Sequence, residues 1–138
     1  MNIDFDWKRS NSVFGPSYKP VARVSFETSR DDWQEFQLTV DSGAIVTLLN
    51  PDDCLSLGYI LEDGDKKILN VADNTELTVR IHKIRIKIGD IILPNRVRIA
   101  FAERPIRDLL LGRLDIFDHF EICLKQQILQ TSIISRIR

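Results

Sequence analysis

Cysteine is scarce in this chain of 138 residues: Cys54 and Cys123 are the only two, far apart and in no CxxC pair. That excludes a disulfide scaffold and points to free thiols in a reducing, cytoplasmic setting. No apolar run approaches the ~20 residues of a membrane helix, so no membrane partner is expected. The first residues include Asp4 and Asp6 and form no apolar stretch, so no signal peptide is expected. Neither sign of charge dominates: 19 Lys and Arg stand against 20 Asp and Glu, a net charge of −1. Such a balance gives no reason to expect a nucleic-acid partner. GxGxxG, a P-loop lysine and a GxSxG elbow are all missing. His82 and His119 stand apart from any ligand-spaced cluster, so no metal is expected. Cys54 has no base near it in sequence, and Lys125, Arg136 and Arg138 read as a solvated basic face.

What is present is an average globular composition, 43% apolar and 28% charged, at the length of one domain. Residues 1–20 read as an irregular N-terminal arm with Trp7 and Phe14 as anchors, and residues 21–138 as a single domain. From Val21 the pattern alternates. Val24 and Phe26, then Phe36, Leu38 and Val40, mark two strands joined across a polar turn. Ala44 to Leu49 reads as a buried strand. Asn50-Pro51-Asp52-Asp53 opens a helix that Gly58 closes. Ile68 to Val71 and Leu77 to Ile81 are short strands around the polar tip Ala72-Asp73-Asn74. The apolar phase then slips at His82-Lys83, which predicts a bulge or bend. Leu109 to Leu111 reads as a strand buried on both faces, Leu114 to Phe120 as a short helix, and the rest as a last hairpin. Many short strands with one or two short helices make an all-β fold, a barrel or a sandwich.

One place carries chemistry. Asp41-Ser42-Gly43-Ala44 follows an alternating strand and enters an apolar one. An Asp-Ser-Gly by itself is usually an exposed turn. In this setting the carboxylate is partly enclosed, and a glycine lets backbone N–H groups turn towards it.

With Leu110-Leu111-Gly112-Arg113 further along, this block resembles the retropepsin-like aspartic proteases, nearest to the single-domain bacterial members that resemble retroviral proteases. The likeness runs over roughly residues 18 to 131. It implies a retropepsin-like acid-protease β-barrel. It also implies an aspartic endopeptidase whose site residues are Asp41 as acid/base, Ser42 bracing the loop and Gly43 aiming an amide at the carboxylates. Ala44 and the tip residues Ala72, Asp73 and Asn74 would hold an extended peptide substrate. Leu111, Gly112 and Arg113 would support the loop from behind. One Asp-Ser-Gly per chain implies a homodimer with the site on its axis.

The departures from the family pattern are specific. Retroviral members commonly carry, just after the Asp-Ser/Thr-Gly-Ala block, an acid that pairs with the arginine of the second motif. Ile45 stands there, so Arg113 needs another partner, and Asp115 and Asp108 are near in sequence. The flap segment, Ile68 to Val79, contains no glycine. That feature favours an alternative, a non-catalytic peptide-binding or dimerisation module of the same fold. A third reading is an unrelated β-barrel interaction domain in which Asp41 is only a turn residue.

Overall fold

The computed structural model describes residues 2–137, with Ala72 described by its backbone only. Arg138, counted above in the basic face, lies outside the described residues. The N-terminal arm is strand rather than irregular coil. β1 (Asn2–Asp6) and β2 (Lys8–Ser12) lead into β3 (Gly15–Lys19). Only Ile3 and Phe5 turn inward on β1, too few to show as an alternation. β2 and β3 form a hairpin of their own, polar on both faces, with Phe14 at its tip 96% exposed. Phe14 is therefore not an anchor. Trp7 is one: its indole N–H donates to the Thr131 hydroxyl at 2.9 Å.

The main sheet is built from β4 (Val21–Glu27), β5 (Trp33–Val40), β6 (Thr47–Leu49), β7 (Asp65–Asn70) and β8 (Glu76–Ile84). β9 (Ile86–Ile88), β10 (Ile91–Ile92), β11 (Val97–Ala102) and β12 (Leu110–Leu111) complete it. Its order is β10-β9-β4-β5-β12-β6-β11-β8-β7. A second sheet pairs β1 with β14 (Gln130–Ser135), and β14 with β13 (Phe120–Lys125). The edge strands β7 and β10 do not meet, so the sheets stay open instead of closing as the expected barrel. The apolar surface that closure would hide is covered from outside. Phe5, Phe120 and Ile133 of the second sheet, with Cys54 and Leu57, share one core with Phe26, Leu38, Ile99 and Phe101.

The helix α1 (Pro51–Ser56) forms where expected. Asp53 reaches back to accept the Asn50 N–H at 2.8 Å, Pro51 opens the first turn, and Gly58 follows the end at φ +84°. Among the described residues no helix is long and apolar enough to cross a membrane.

Three local expectations fail for physical reasons. The phase slip at His82-Lys83 is not a bulge, because β8 pairs with β11 without a break from Val79 to Ile84. The covered face changes instead. Leu77 and Val79 pack into a small second cluster with Ala100 and Ala102, while Ile84, Ile86 and Ile88 face the main core. The helix from Leu114 to Phe120 shrinks to one 3-10 turn, Phe117–His119, because Asp115 sits at φ +66° and interrupts it. The strand from Ala44 begins only at Thr47, and Ile45 is 67% exposed.

Candidate active site

β5 buries Leu38 and Val40 and delivers the chain to Asp41 at the sheet's interior. β12 lies beside the end of β5, parallel to it with Leu111 opposite Val40, and antiparallel to β6 through Leu110 and Leu48. The chain therefore leaves β5 at Asp41, loops out, and returns in β6 on the far side of β12. The Asp41 N–H donates to the Leu111 carbonyl at 3.1 Å, and the Asp41 carbonyl accepts from the Ala44 N–H at 3.1 Å, closing the turn. The Gly43 N–H donates to Asp41 Oδ1 at 3.0 Å. Asp41 and Ala44 are half-buried, while Ser42 and Gly43 are exposed.

Behind the loop the packing is tight. A Cβ on Gly112 would overlap the carbonyl group of Val46. Beyond that crossing, Arg113 N–H bonds the Ala44 carbonyl at 3.1 Å and Leu114 N–H the Ile45 carbonyl at 2.7 Å. These bonds hold Ala44–Val46 as a loop, which is why β6 starts late. The Gly112 N–H donates to the Thr47 hydroxyl at 3.1 Å, and both residues are buried. Thr47 was missed in the sequence, where the one clue is a hydroxyl inside an apolar run.

In front of the loop lies a cleft of about 1430 Å³ lined by Asp41, Gly43 and Ala44. The β7–β8 hairpin forms one wall through Leu69, Val71 and Leu77. Its tip turns on Asp73 (φ +69°) and Asn74 (φ +57°), as a glycine-free turn requires. Both residues are exposed and neither lines the cleft of the single chain. The lining also includes a segment the sequence did not reveal, Arg104 to Asp108. It is tied down where the Ile106 N–H donates to Asn50 Oδ1 at 2.6 Å.

No protein-family model matches this sequence, and no curated protein matches it. Solved structures do. A retropepsin-like aspartic protease from Rickettsia conorii superposes with a TM-score of 0.65 at 14% identity, over 96% of this chain and 98% of that one. The EIAV protease, complexed with the inhibitor HBY-793, superposes with a TM-score of 0.55 at 20% identity, over 72% of this chain and 86% of that one. The chain has the retropepsin-like fold. At these identities the likeness is one of fold, and this chain's chemistry has to be argued from its own residues.

Within this retropepsin-like frame, neither expected partner reaches Arg113. Asp108 pairs with Lys19 at 3.2 Å. Asp115 accepts from Arg98 three times, from Nε and Nη2 at 2.8 Å each and from the backbone N–H at 3.0 Å. Arg113 is exposed and makes no ion pair among the described residues. The side-chain hydrogen bonds of Arg98 hold the Asp115 carboxyl below the usual carboxylate range; burial opposes them, and the Arg98 backbone N–H and the charges of Arg98 and Lys83 add to the lowering. Cys54 is 1% exposed, and burial, helped by Glu62, pushes its thiol up to about 11. His82 sits edge-on to Phe101, with ring centroids 5.4 Å apart, and its Nε2 lies 3.2 Å from the Leu61 carbonyl.

Proposed function

We propose that this protein is an aspartic endopeptidase that works as a homodimer, with Asp41 from each copy facing the other across the two-fold axis. The observation that carries the reading is the seating of Asp41. Its carboxylate stands at the mouth of a turn clamped from behind by Gly112 and Thr47, and it opens into the cleft beneath the β7–β8 hairpin. The cleft exceeds the ~300–1,000 Å³ of an ordinary small-molecule site, which suits an extended chain better than a compact ligand.

In the dimer, two carboxyl groups brought that close cannot both be ionised, so they share one proton. The ionised Asp41 takes a proton from a water held between the pair, and that water attacks the scissile carbonyl. The protonated Asp41 donates to the carbonyl oxygen, and a proton then passes to the leaving nitrogen. The Gly43 N–H steadies Oδ1 of Asp41. Ala44 and the hairpin tip Ala72-Asp73-Asn74 pair with the substrate backbone, as an added strand would. The chemistry uses side chains and water alone. Free Cys54 and Cys123 suit a cytoplasmic setting.

A second reading, a peptide-binding or dimerisation module without turnover, draws on the hairpin tip. Two successive non-glycine residues at positive φ make a turn with fewer alternatives than a glycine-rich flap. One experiment separates the two. The protein and its Asp41→Asn variant are incubated with an unbiased peptide mixture, and new termini are sought by mass spectrometry. New termini from the wild type alone support the endopeptidase. Peptide retention without new termini supports the module.

A further inference from the structure

The second sheet, ordered β1-β14-β13, has two open edges. On β1 the outward positions are Asn2, Asp4 and Asp6, and a strand whose only charged residues are acids repels its own copy. β13, Phe-Glu-Ile-Cys-Leu-Lys from Phe120 to Lys125, is different. The Arg136 N–H donates to the His119 carbonyl at 2.7 Å, which sets the alternation of the β13–β14 ladder. Glu121, Cys123 and Lys125 then bond β14, while the backbone groups of Ile122 and Leu124 point away from it. Neither residue's N–H or C=O has a backbone partner elsewhere among the described residues. The Phe120 N–H is already taken by the Phe117 carbonyl.

We infer that β13 is the seam between two copies of this chain, paired antiparallel with itself about a two-fold axis at Cys123. In that register Ile122 exchanges both backbone bonds with the second copy's Leu124, which uses the groups left free and does not need the Phe120 N–H. Ile122 lies beside Leu124 on the face towards the core, and Leu124 is 51% exposed in the single chain. On the other face Glu121 lies opposite Lys125, so both symmetry-related contacts are attractive. The alternative axis at Ile122 sets Glu121 opposite Cys123 and needs Phe120, and it loses both advantages. Cys123 meets its own copy as a non-hydrogen-bonded pair, with Cα atoms about 4.5 Å apart. That lies within disulfide reach. The seam rests on the reading above only in its need for a second copy.

The test uses the full chain with both native cysteines. Sedimentation across a dilution series is run beside oxidation with diamide, which takes up the two protons and two electrons released by a thiol pair. A dimer that becomes covalent is expected. The cross-link should persist in Cys54→Ser and vanish in Cys123→Ser. Lys125→Glu should weaken the dimer roughly tenfold by setting carboxylates against each other in both contacts. Adding Glu121→Lys to the same chain should restore it. The second change also removes the exposed Glu121–Arg136 pair, whose loss costs little. A monomer at every concentration, or a dimer that neither cross-links nor responds to Lys125→Glu, would overturn the seam. A cross-linking dimer that cuts no peptide keeps the seam and removes the endopeptidase. A cleaving dimer that neither cross-links nor responds to Lys125→Glu does the reverse.

Discussion

The α-carbon of Gly112 lies against the carbonyl group of Val46, with the Thr47 nitrogen 2.8 Å from where a methyl group would be placed. The obstacle is backbone, which cannot swing aside as a side chain can. Gly112→Val should therefore cost ~1–3 kcal/mol or more through overpacking. Thermal melts would show it as a lowered midpoint, and an unchanged midpoint would mean that the two strands can part there.

Asp41→Asn should abolish cleavage while leaving the fold intact. The Asn side-chain oxygen can still accept the Gly43 N–H that Asp41 Oδ1 accepts at 3.0 Å. What is lost is the ionisable pair on which the proton transfers depend. Circular dichroism and the melting midpoint should match the wild type while new peptide termini disappear. Near-wild-type proteolysis in this variant would remove Asp41 from the mechanism.

Thr47→Val tests the brace behind the loop. The shapes are nearly equal, but the Gly112 N–H loses its acceptor at 3.1 Å in a buried place. An unmet buried donor costs about 1–3 kcal/mol, which urea unfolding would read directly. Thr47→Ser keeps the hydroxyl and should recover most of the loss.

The Arg98–Asp115 pair predicts an acid-dependent step in stability. Hydrogen bonds from Arg98 hold the Asp115 carboxyl below its unfolded value. A carboxyl lowered in the fold contributes fully above the ordinary Asp value of ~3.9, and its contribution fades as pH falls through the folded value. Because the pair is partly open to solvent, the step is small. Unfolding midpoints measured downwards from about pH 6 should show a shallower acid decline for Asp115→Asn than for the wild type. Asn tolerates the positive φ of this position, so the variant isolates the charge. Equal slopes would mean that the pair adds nothing.

Where neighbours along the chain settle the structure, the sequence is readable. The start and stop of α1 lie in Asn50, Pro51, Asp53 and Gly58, within one short stretch. The hairpin tip follows from Asp73 and Asn74, the residues there that best tolerate a left-handed backbone. The loop at Asp41-Ser42-Gly43 was legible because an apolar alternating strand leads into it, whereas the close approach of Gly112 was expected only from the family resemblance of Leu110-Leu111-Gly112-Arg113.

Other features depend on segments that meet only after folding. β1 is a strand because β14, from the other end of the chain, supplies its partner, and Ile3 and Phe5 alone could not announce it. The phase change in β8 records which cluster covers each face, a fact about Ala100, Ala102 and the main core rather than about His82 and Lys83. Asp115 was a reasonable partner for Arg113 by proximity, but its left-handed backbone and the position of β11 hand it to Arg98. By itself, then, the sequence determined most strands of the main sheet, the bounds of α1 and the turn at Asp73-Asn74, because those follow from period, capping and φ preference over a few positions. Only the tertiary structure decided that β12 runs between β5 and β6, that Thr47 meets Gly112, and that β13 is left as an open edge. Those outcomes come from the joint burial of distant segments, for which no local stretch of sequence carries a mark.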